Sequence, residues 1–202
     1  MLRKESRNYT RTCYALKCDV RKFFDSIDHE ILLAILKKRI VDPDVMWLME
    51  QIVRSFSAGQ TTLFDRHGLP IGNLTSQLFA NVYMNEFDQF VKHEMKVKHY
   101  ARYTDDFVVV STDIKYLEGL IEPFQNFISD KLKLTLHPKK ISIRDVGQGI
   151  DYLGYVILPH YRLLRSKTKR RIFRKLKARV RQYRQGQLDE KTLSQSLQSY
   201  LG

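Results

Sequence analysis

Three acidic side chains carry the clearest chemical signal in this 202-residue chain. Two of them, Asp105 and Asp106, lie in the run His99-Tyr100-Ala101-Arg102-Tyr103-Thr104-Asp105-Asp106-Phe107-Val108-Val109-Val110-Ser111. Tyr100, Tyr103, Phe107, Val108, Val109 and Val110 favour extended backbone, and a two-residue break between the runs fits a tight hairpin turn. Paired carboxylates at a hairpin tip fix negative charge at one end of a sheet. Such a tip attracts a divalent cation, and Mg²⁺ takes carboxylate oxygen with water and substrate phosphate completing its shell. An acidic turn alone is more often a solvated loop, so the chemistry needs a third carboxylate. Asp19 supplies it. It ends the mostly apolar run Cys13-Tyr14-Ala15-Leu16-Lys17-Cys18-Asp19-Val20, which reads as a central strand. Taken by itself Asp19 reads as a helix cap. Beside Asp105 and Asp106 it completes a cluster able to hold two Mg²⁺ about 3.5–4 Å apart, as in polymerases and nucleases that activate a hydroxyl and stabilise a leaving phosphate.

These groups need a sheet to bring them together and helices to cover it. Ser26 or Asp28 can cap a helix whose stripe is Ile31, Leu32, Ile35, Leu36 and Ile40. Asp42-Pro43 starts a second helix reaching about residue 56, with Val45, Leu48, Met49, Ile52 and Val53 inward. Residues 57–67 read as a loop or short hairpin. Gly68-Leu69-Pro70-Ile71-Gly72-Asn73-Leu74 leads into a long helix over 75–96, with Leu78, Phe79, Val82, Tyr83, Phe87, Phe90 and Val91 apolar. One helix spans 114–131, short strands surround His137-Pro138-Lys139-Lys140, and 151–158 gives a strand pair. A basic helix spans 165–184 with Ile172, Leu176, Val180 and Tyr183 as its buried stripe, and a last helix begins near Asp189. The order predicts an α+β fold, an antiparallel sheet with helices on one face and the other face open.

The net charge is +13, and its distribution says more than its size. Residues 152–188 hold twelve Arg and Lys and no Asp or Glu, so a nearly neutral body joins a basic appendage. That pattern selects a polyanion partner, most often nucleic acid. A solubilising helix would interleave acids. Cys13 and Cys18, five apart, give neither a zinc pattern nor a disulfide framework and read as buried thiols of a reducing compartment. The first eleven residues are basic and polar without a signal-peptide core, and no apolar run nears the ~20 residues a bilayer requires. A cytoplasmic protein with no membrane partner is expected.

Several stretches together resemble the reverse transcriptases of bacterial retroelements. Leu16-Lys17-Cys18-Asp19-Val20-Arg21-Lys22-Phe23-Phe24-Asp25-Ser26-Ile27-Asp28-His29 resembles motif A. Gly68-Leu69-Pro70-Ile71-Gly72-Asn73-Leu74-Thr75-Ser76-Gln77-Leu78-Phe79-Ala80-Asn81 resembles motif B, and Tyr103-Thr104-Asp105-Asp106 motif C. His137-Pro138-Lys139-Lys140 is similar to motif D and Tyr152-Leu153-Gly154-Tyr155 to the primer grip. The resemblance implies a polymerase palm over 1–160, a partial helical thumb over 161–202, and RNA-directed DNA synthesis. It implies an RNA template, a DNA or RNA primer and deoxynucleoside triphosphates as partners. Two Mg²⁺, or Mn²⁺, would sit on Asp19, Val20, Asp105 and Asp106.

By the same resemblance Lys140 gives a proton to the leaving pyrophosphate, with Lys139 a competing donor. The backbone N–H groups of Lys22 and Phe23 cradle the triphosphate, and Ile71, Gly72 and Gln77 border the nucleotide. Phe24 takes the place of the sugar gate, whose ring leaves no room for a 2′-hydroxyl; a plain core role competes with that one. Arg165, Lys169, Arg170, Arg174, Lys177 and Arg181 would track the template–primer backbone without reading sequence.

Motif B departs from most reverse transcriptases, which carry Gln-Gly, three residues, then Ser-Pro. Ile71-Gly72-Asn73-Leu74-Thr75-Ser76-Gln77 is similar instead to the enzymes of diversity-generating retroelements. That likeness implies a bacterial or phage-encoded enzyme making error-prone cDNA from a template-repeat RNA, with a small basic accessory protein. The alternatives are a group II intron-like or defence-type reverse transcriptase, an RNA-directed RNA polymerase, which Phe24 disfavours, and a non-catalytic nucleic-acid-binding palm. A fingers region normally precedes motif A, and here only a short run does. The expectation is a fragment with weak or no polymerisation alone.

Overall fold

The computed structural model describes residues 1–56 and 67–201, so most of the loop expected over 57–67 lies outside the described residues. By compactness the chain divides into Met1–Asp145 and Val146–Gly202.

In the first unit, β1 (Tyr14–Asp19) is central, as its apolar composition requires. The edge strand β2 (Tyr100–Tyr103) pairs with β3 (Asp106–Ser111), β3 pairs with β1, and β1 pairs with β4 (Ser142–Asp145), all antiparallel. Side chains alternate between faces along each strand. Leu16 lies opposite Val109 and Cys18 opposite Phe107, and all four are buried in the main core. Lys17 opposite Val108 and Asp19 opposite Asp106 therefore share the other face. This is the α+β arrangement the sequence predicts.

The helical layer comprises α1 (Leu2–Glu5), α2 (Phe23–Ser26), α3 (His29–Lys37), α4 (Pro43–Arg54), α5 (Leu74–Gln89), α6 (Ile114–Gly119) and α7 (Ile121–Leu132). Asp28, not Ser26, caps α3 by accepting from the Glu30 and Ile31 amides. On α4 the inward stripe is rotated from the expected one. Met46 and Val53 are buried while Val45 and Leu48 are exposed, because 46, 49 and 53 are the positions at helical spacing that meet the core. The long helix expected after Asn73 is α5 continued by a π-helical turn, Phe90–Glu94. The single helix expected over 114–131 breaks at Leu120, which is both C-cap of α6 and N-cap of α7. Phe87 on α5 anchors the layer to the sheet. Its ring lies 4.9 Å from Phe107 and 5.3 Å from Phe124, centroid to centroid.

The second unit holds a three-stranded antiparallel sheet of β5 (Ile150–Tyr152), β6 (Tyr155–Ile157) and β7 (Arg162–Leu164), followed by α8 (Ser166–Arg184) and α9 (Glu190–Leu201). Strand β7 carries no sequence signal, since Arg162-Leu163-Leu164 has no β-branched or aromatic residue. The α8 stripe is shallower than expected: Ile172, Leu176 and Val180 are half-buried and Tyr183 is exposed. Among the described residues no helix is long and apolar enough to cross a membrane.

Phe87→Ala removes a fully buried ring from the contact between helices and sheet. It should lower unfolding free energy by about 3–5 kcal/mol, read as a lower urea midpoint at unchanged slope.

Candidate active site

The hairpin joining β2 to β3 turns one residue earlier than the sequence suggests. Tyr103 pairs with Asp106, so Thr104 and Asp105 form the tip and Asp106 opens β3. The acidic pair is thus split between turn and strand. Asp106 lies directly opposite Asp19, and the Val20 amide donates to the Asp105 carbonyl (3.3 Å). Main-chain pairing alone brings all three acidic residues to one end of the sheet. Thr104 has φ of 57°, a backbone position that hairpins usually fill with Gly.

Two lysines answer the gathered charge. Lys140 Nζ lies 2.7 Å from Asp19 Oδ1, and Lys17 Nζ lies 3.3 Å from Asp106 Oδ1. Lys140 is brought there by the segment after α7. The His137 amide donates to the Asp19 carbonyl (2.7 Å), Val20 bridges to Leu136, and a 3₁₀ turn over Pro138–Lys140 follows. Asp19 is 8% exposed, whereas the Lys140 side chain is about half exposed and can move away. Burial, reinforced by the nearby Asp19 and Asp106 charges, pushes the Asp105 carboxyl above the usual carboxylate range. The bond to Asp19 raises the Lys140 ammonium, which favours its protonated form.

Motif A and motif B are tied to each other. The Leu69 amide donates to the Phe24 carbonyl (2.7 Å), the Gly68 amide to the Ile27 carbonyl (2.8 Å), and buried His29 donates from Nε2 to the Gly68 carbonyl (2.8 Å). Phe24 is half-buried, edge-on to the core ring of Phe23 at 5.4 Å. The Phe23 and Val20 side chains are both core, so each reaches the site only through its main chain. Lys22 is exposed with φ of 47°. Ile71 is 79% exposed, Gly72 has φ of +106°, and Gln77 is exposed. Leu78 is 61% exposed on the same stretch.

In the second unit Tyr152 pairs with Tyr155 around a Leu153-Gly154 turn in which both residues have positive φ, the signature of a type I′ hairpin. A Cβ on Gly154 would meet Thr168 Oγ1 at 3.4 Å. The Arg165 amide donates to the Gly154 carbonyl (2.9 Å), and the Arg165 guanidinium pairs with Asp151. A cleft of about 940 Å³ lies against this turn, lined by Arg165, Lys167, Arg170, Arg171 and Arg174. Lys169, Arg170, Arg174 and Lys177 line an adjoining hollow around the half-exposed Phe173, and Arg181 continues along α8. The basic residues named from the sequence thus share one helix.

Sequence reasoning missed Lys17, His29 and Arg102. The first was readable, because two positions before Asp19 on a strand is the same face. The Arg102 partner Asp88 lies on α5, and nothing local marks it.

Among the described residues no three His, Cys, Asp or Glu side chains converge as a ready-made metal cage. The donor set nevertheless suits a hard divalent cation. It is all carboxylate, and the like-charge crowding at Asp105 is what a cation would relieve.

The hairpin-borne acidic pair thus faces a strand-end aspartate at one end of a four-stranded antiparallel sheet. The sequence matches the family described as reverse transcriptase (RNA-dependent DNA polymerase) over residues 2–157, and the chain belongs to that family. It is 26% identical over 195 residues to Protein YkfC of Escherichia coli, covering 79% of this chain and 49% of that protein. It is 24% identical over 236 residues to the group II intron-encoded protein LtrA of Lactococcus lactis, covering 84% of this chain and 38% of that protein. The chain therefore spans about half or less of these relatives. Among solved structures the apo telomerase of Candida tropicalis superposes with a TM-score of 0.61 at 12% identity, over 82% of this chain and 34% of that one.

Because the Asp105 carboxyl sits above its ordinary value in the fold, its ionisation opposes folding. The cost is absent below the ordinary value near pH ~3.9, and it grows as pH rises through the raised value. Asp105→Asn should accordingly melt several degrees above the native chain at pH 7, with the gap closing toward pH 4 in a series of thermal melts.

Proposed function

We propose that this chain is the palm, with part of the thumb, of an RNA-directed DNA polymerase. The observation that carries the reading is the register that sets Asp19 opposite Asp106, with Asp105 on the adjoining turn and Lys140 on Asp19. Asp19, Asp106, Asp105 and the Val20 main chain would hold divalent cations, Mg²⁺ or Mn²⁺. Bound there, such ions supply the Lewis acidity that activates a primer 3′-hydroxyl and screens the triphosphate.

The remaining work falls to side chains. The 3′-oxygen bonds to the α-phosphorus, the bond to the β-phosphate oxygen breaks, and pyrophosphate departs. Lys140 cannot serve Asp19 and the pyrophosphate at once. Its exposed, protonated ammonium is free to turn to the pyrophosphate when Asp19 takes another partner, and to donate its proton there. Phe24, held beside motif B by the Leu69 bond, lies under the sugar and excludes a 2′-hydroxyl. Lys22, the Phe23 amide, Gly72 and Gln77 border the nucleotide. In the second unit the Tyr152–Tyr155 turn holds the primer end, and the acid-free face of α8 follows the duplex backbone. Palm is taken as 1–160 and thumb as 161–202. A fold neighbour, the telomerase of Candida tropicalis, is solved in complex with the TWJ fragment of telomeric RNA, which favours an RNA partner here too.

The finer reading is error-prone copying of the diversity-generating type, supported by the motif B sequence and the exposure of Ile71. An apolar side chain against the base offers no hydrogen bond to enforce pairing geometry, and such bonds discriminate far better than apolar contacts. A small basic accessory protein and a bacterial or phage source go with that reading. The group II intron relatives favour a second one, an intron-type enzyme of ordinary fidelity.

Primer extension on an RNA template, run with Mg²⁺ and on a version extended at both ends, should be abolished by Asp105→Asn. Extension by the Asp105→Asn variant that is undiminished and still needs Mg²⁺ would remove Asp105 from the metal-holding set. In the same assay Ile71→Gln should reduce misincorporation opposite template adenine, and an unchanged error spectrum would favour the intron-type reading. Phe24→Ala should admit ribonucleotides by about tenfold or more, on the scale that pocket contacts discriminate; no gain would return Phe24 to the core.

A further inference from the structure

Arg102 has no part in the reaction as described, yet every nitrogen of its guanidinium donates a hydrogen bond. It lies on β2 opposite Phe107, so it points to the helix-covered face, away from Asp19 and Asp106. Its side chain is 9% exposed. The guanidinium donates from Nε and Nη2 to the two carboxylate oxygens of Asp88 on α5, at 2.8 and 2.5 Å. The Tyr100 hydroxyl donates to the same carboxylate (2.6 Å) and completes the anchor. Nη1 is left over. It donates to Asn81 Oδ1 on α5 (3.2 Å) and to the Thr104 carbonyl (2.9 Å).

That last bond reaches the catalytic hairpin from behind. Thr104 is a β-branched residue at φ of 57°, a conformation that such residues rarely adopt and that persists only where its surroundings hold it. The next residue is Asp105. A planar fork with five fixed donors can grip a carboxylate with one edge and a main-chain carbonyl with the other, and a lysine cannot do both.

Resting on the polymerase reading above, we propose that Arg102 is a positioning residue. It clamps the Thr104-Asp105 turn to α5, so that the helix running out of motif B fixes where the Asp105 and Asp106 carboxylates stand for a divalent cation. The nucleotide-bordering stretch and the carboxylate turn then move as one body.

The test is Arg102→Lys in the full chain, which keeps a cation beside Asp88 but loses the fork. Free Mn²⁺ is measured by electron paramagnetic resonance, and amide hydrogen exchange is followed over residues 103–108. Mn²⁺ affinity should fall about tenfold, the scale of losing an orienting partner behind a ligand, and exchange of the turn amides should quicken. A merely structural role predicts a lower melting temperature with Mn²⁺ affinity unchanged, and that result overturns the proposal. If the lysine variant fails to fold, Tyr100→Phe, Asp88→Leu and Arg102→Met combined remove the whole polar cluster while keeping its volume. That triple variant, folded and binding Mn²⁺ as the native chain does, overturns it equally. Both readouts are taken without turnover. A version extended at both ends that binds Mn²⁺ but extends no primer counts against the polymerase reading and leaves the clamp to be decided by its own measurement.

Discussion

Everything at the site depends on the pairing register between β1 and β3. That register sets Asp19 against Asp106, and like charges directly opposite on paired strands repel. The other face of the same strands resolves the conflict. Leu16, Cys18, Phe107 and Val109 are buried there without exception. A slip by one residue would turn Lys17 and Asp19 into the main core and move those apolar groups to the face that carries the carboxylates. Hydrophobic burial on one face thus holds carboxylates together on the opposite face against their own repulsion. Burial first, and the neighbouring carboxylates after it, raise the Asp105 carboxyl, and two lysines stand against Asp19 and Asp106.

The second unit poses a related problem with the sign reversed. Helix α8 has no acid in its length, and Arg170/Arg174 and Lys177/Arg181 repeat at the four-residue spacing where like charges oppose helix formation. No residue of α8 is fully buried, so packing contributes little in return. A helix of this kind is poorly explained by its own stability. A polyanion lying along it would remove the repulsion.

How much of this was legible in the letters depended on range. The apolar run ending at Asp19 and the β-prone residues flanking Asp105 announced strands, and Ser26 or Asp28 and then Asp42 announced two helix starts, because composition and cap are local signals. The split of the acidic pair between turn and strand was not legible. It depends on Tyr103 pairing with Asp106 and on Thr104 accepting positive φ, for which a glycine would have been the usual flag. The stripe of α4 was misread because Val45 and Leu48 are as apolar as Met46; only the core's location chooses among them. Leu78 is exposed beside Ile71, so motif B presents apolar surface outward. The Arg102–Asp88 clamp joins residues on different elements, and no local pattern encodes such a pair.

The site separates what is fixed from what can exchange. Main-chain bonds fix it: the Val20 amide to the Asp105 carbonyl, the His137 amide to the Asp19 carbonyl, and the strand ladder itself. These ask only for extended backbone and a buried alternate face, demands that many sequences meet. The partners of the carboxylates are ion pairs at a partly open surface, and such pairs contribute little net stability and are readily traded. Backbone similarity to a telomerase at 12% identity follows from that division. Register and alternation preserve the frame while nearly every side chain around it changes. A charge is demanded only at the end of that frame where Asp19, Asp105 and Asp106 stand, and the rest of the frame asks only for extended backbone and a buried alternate face.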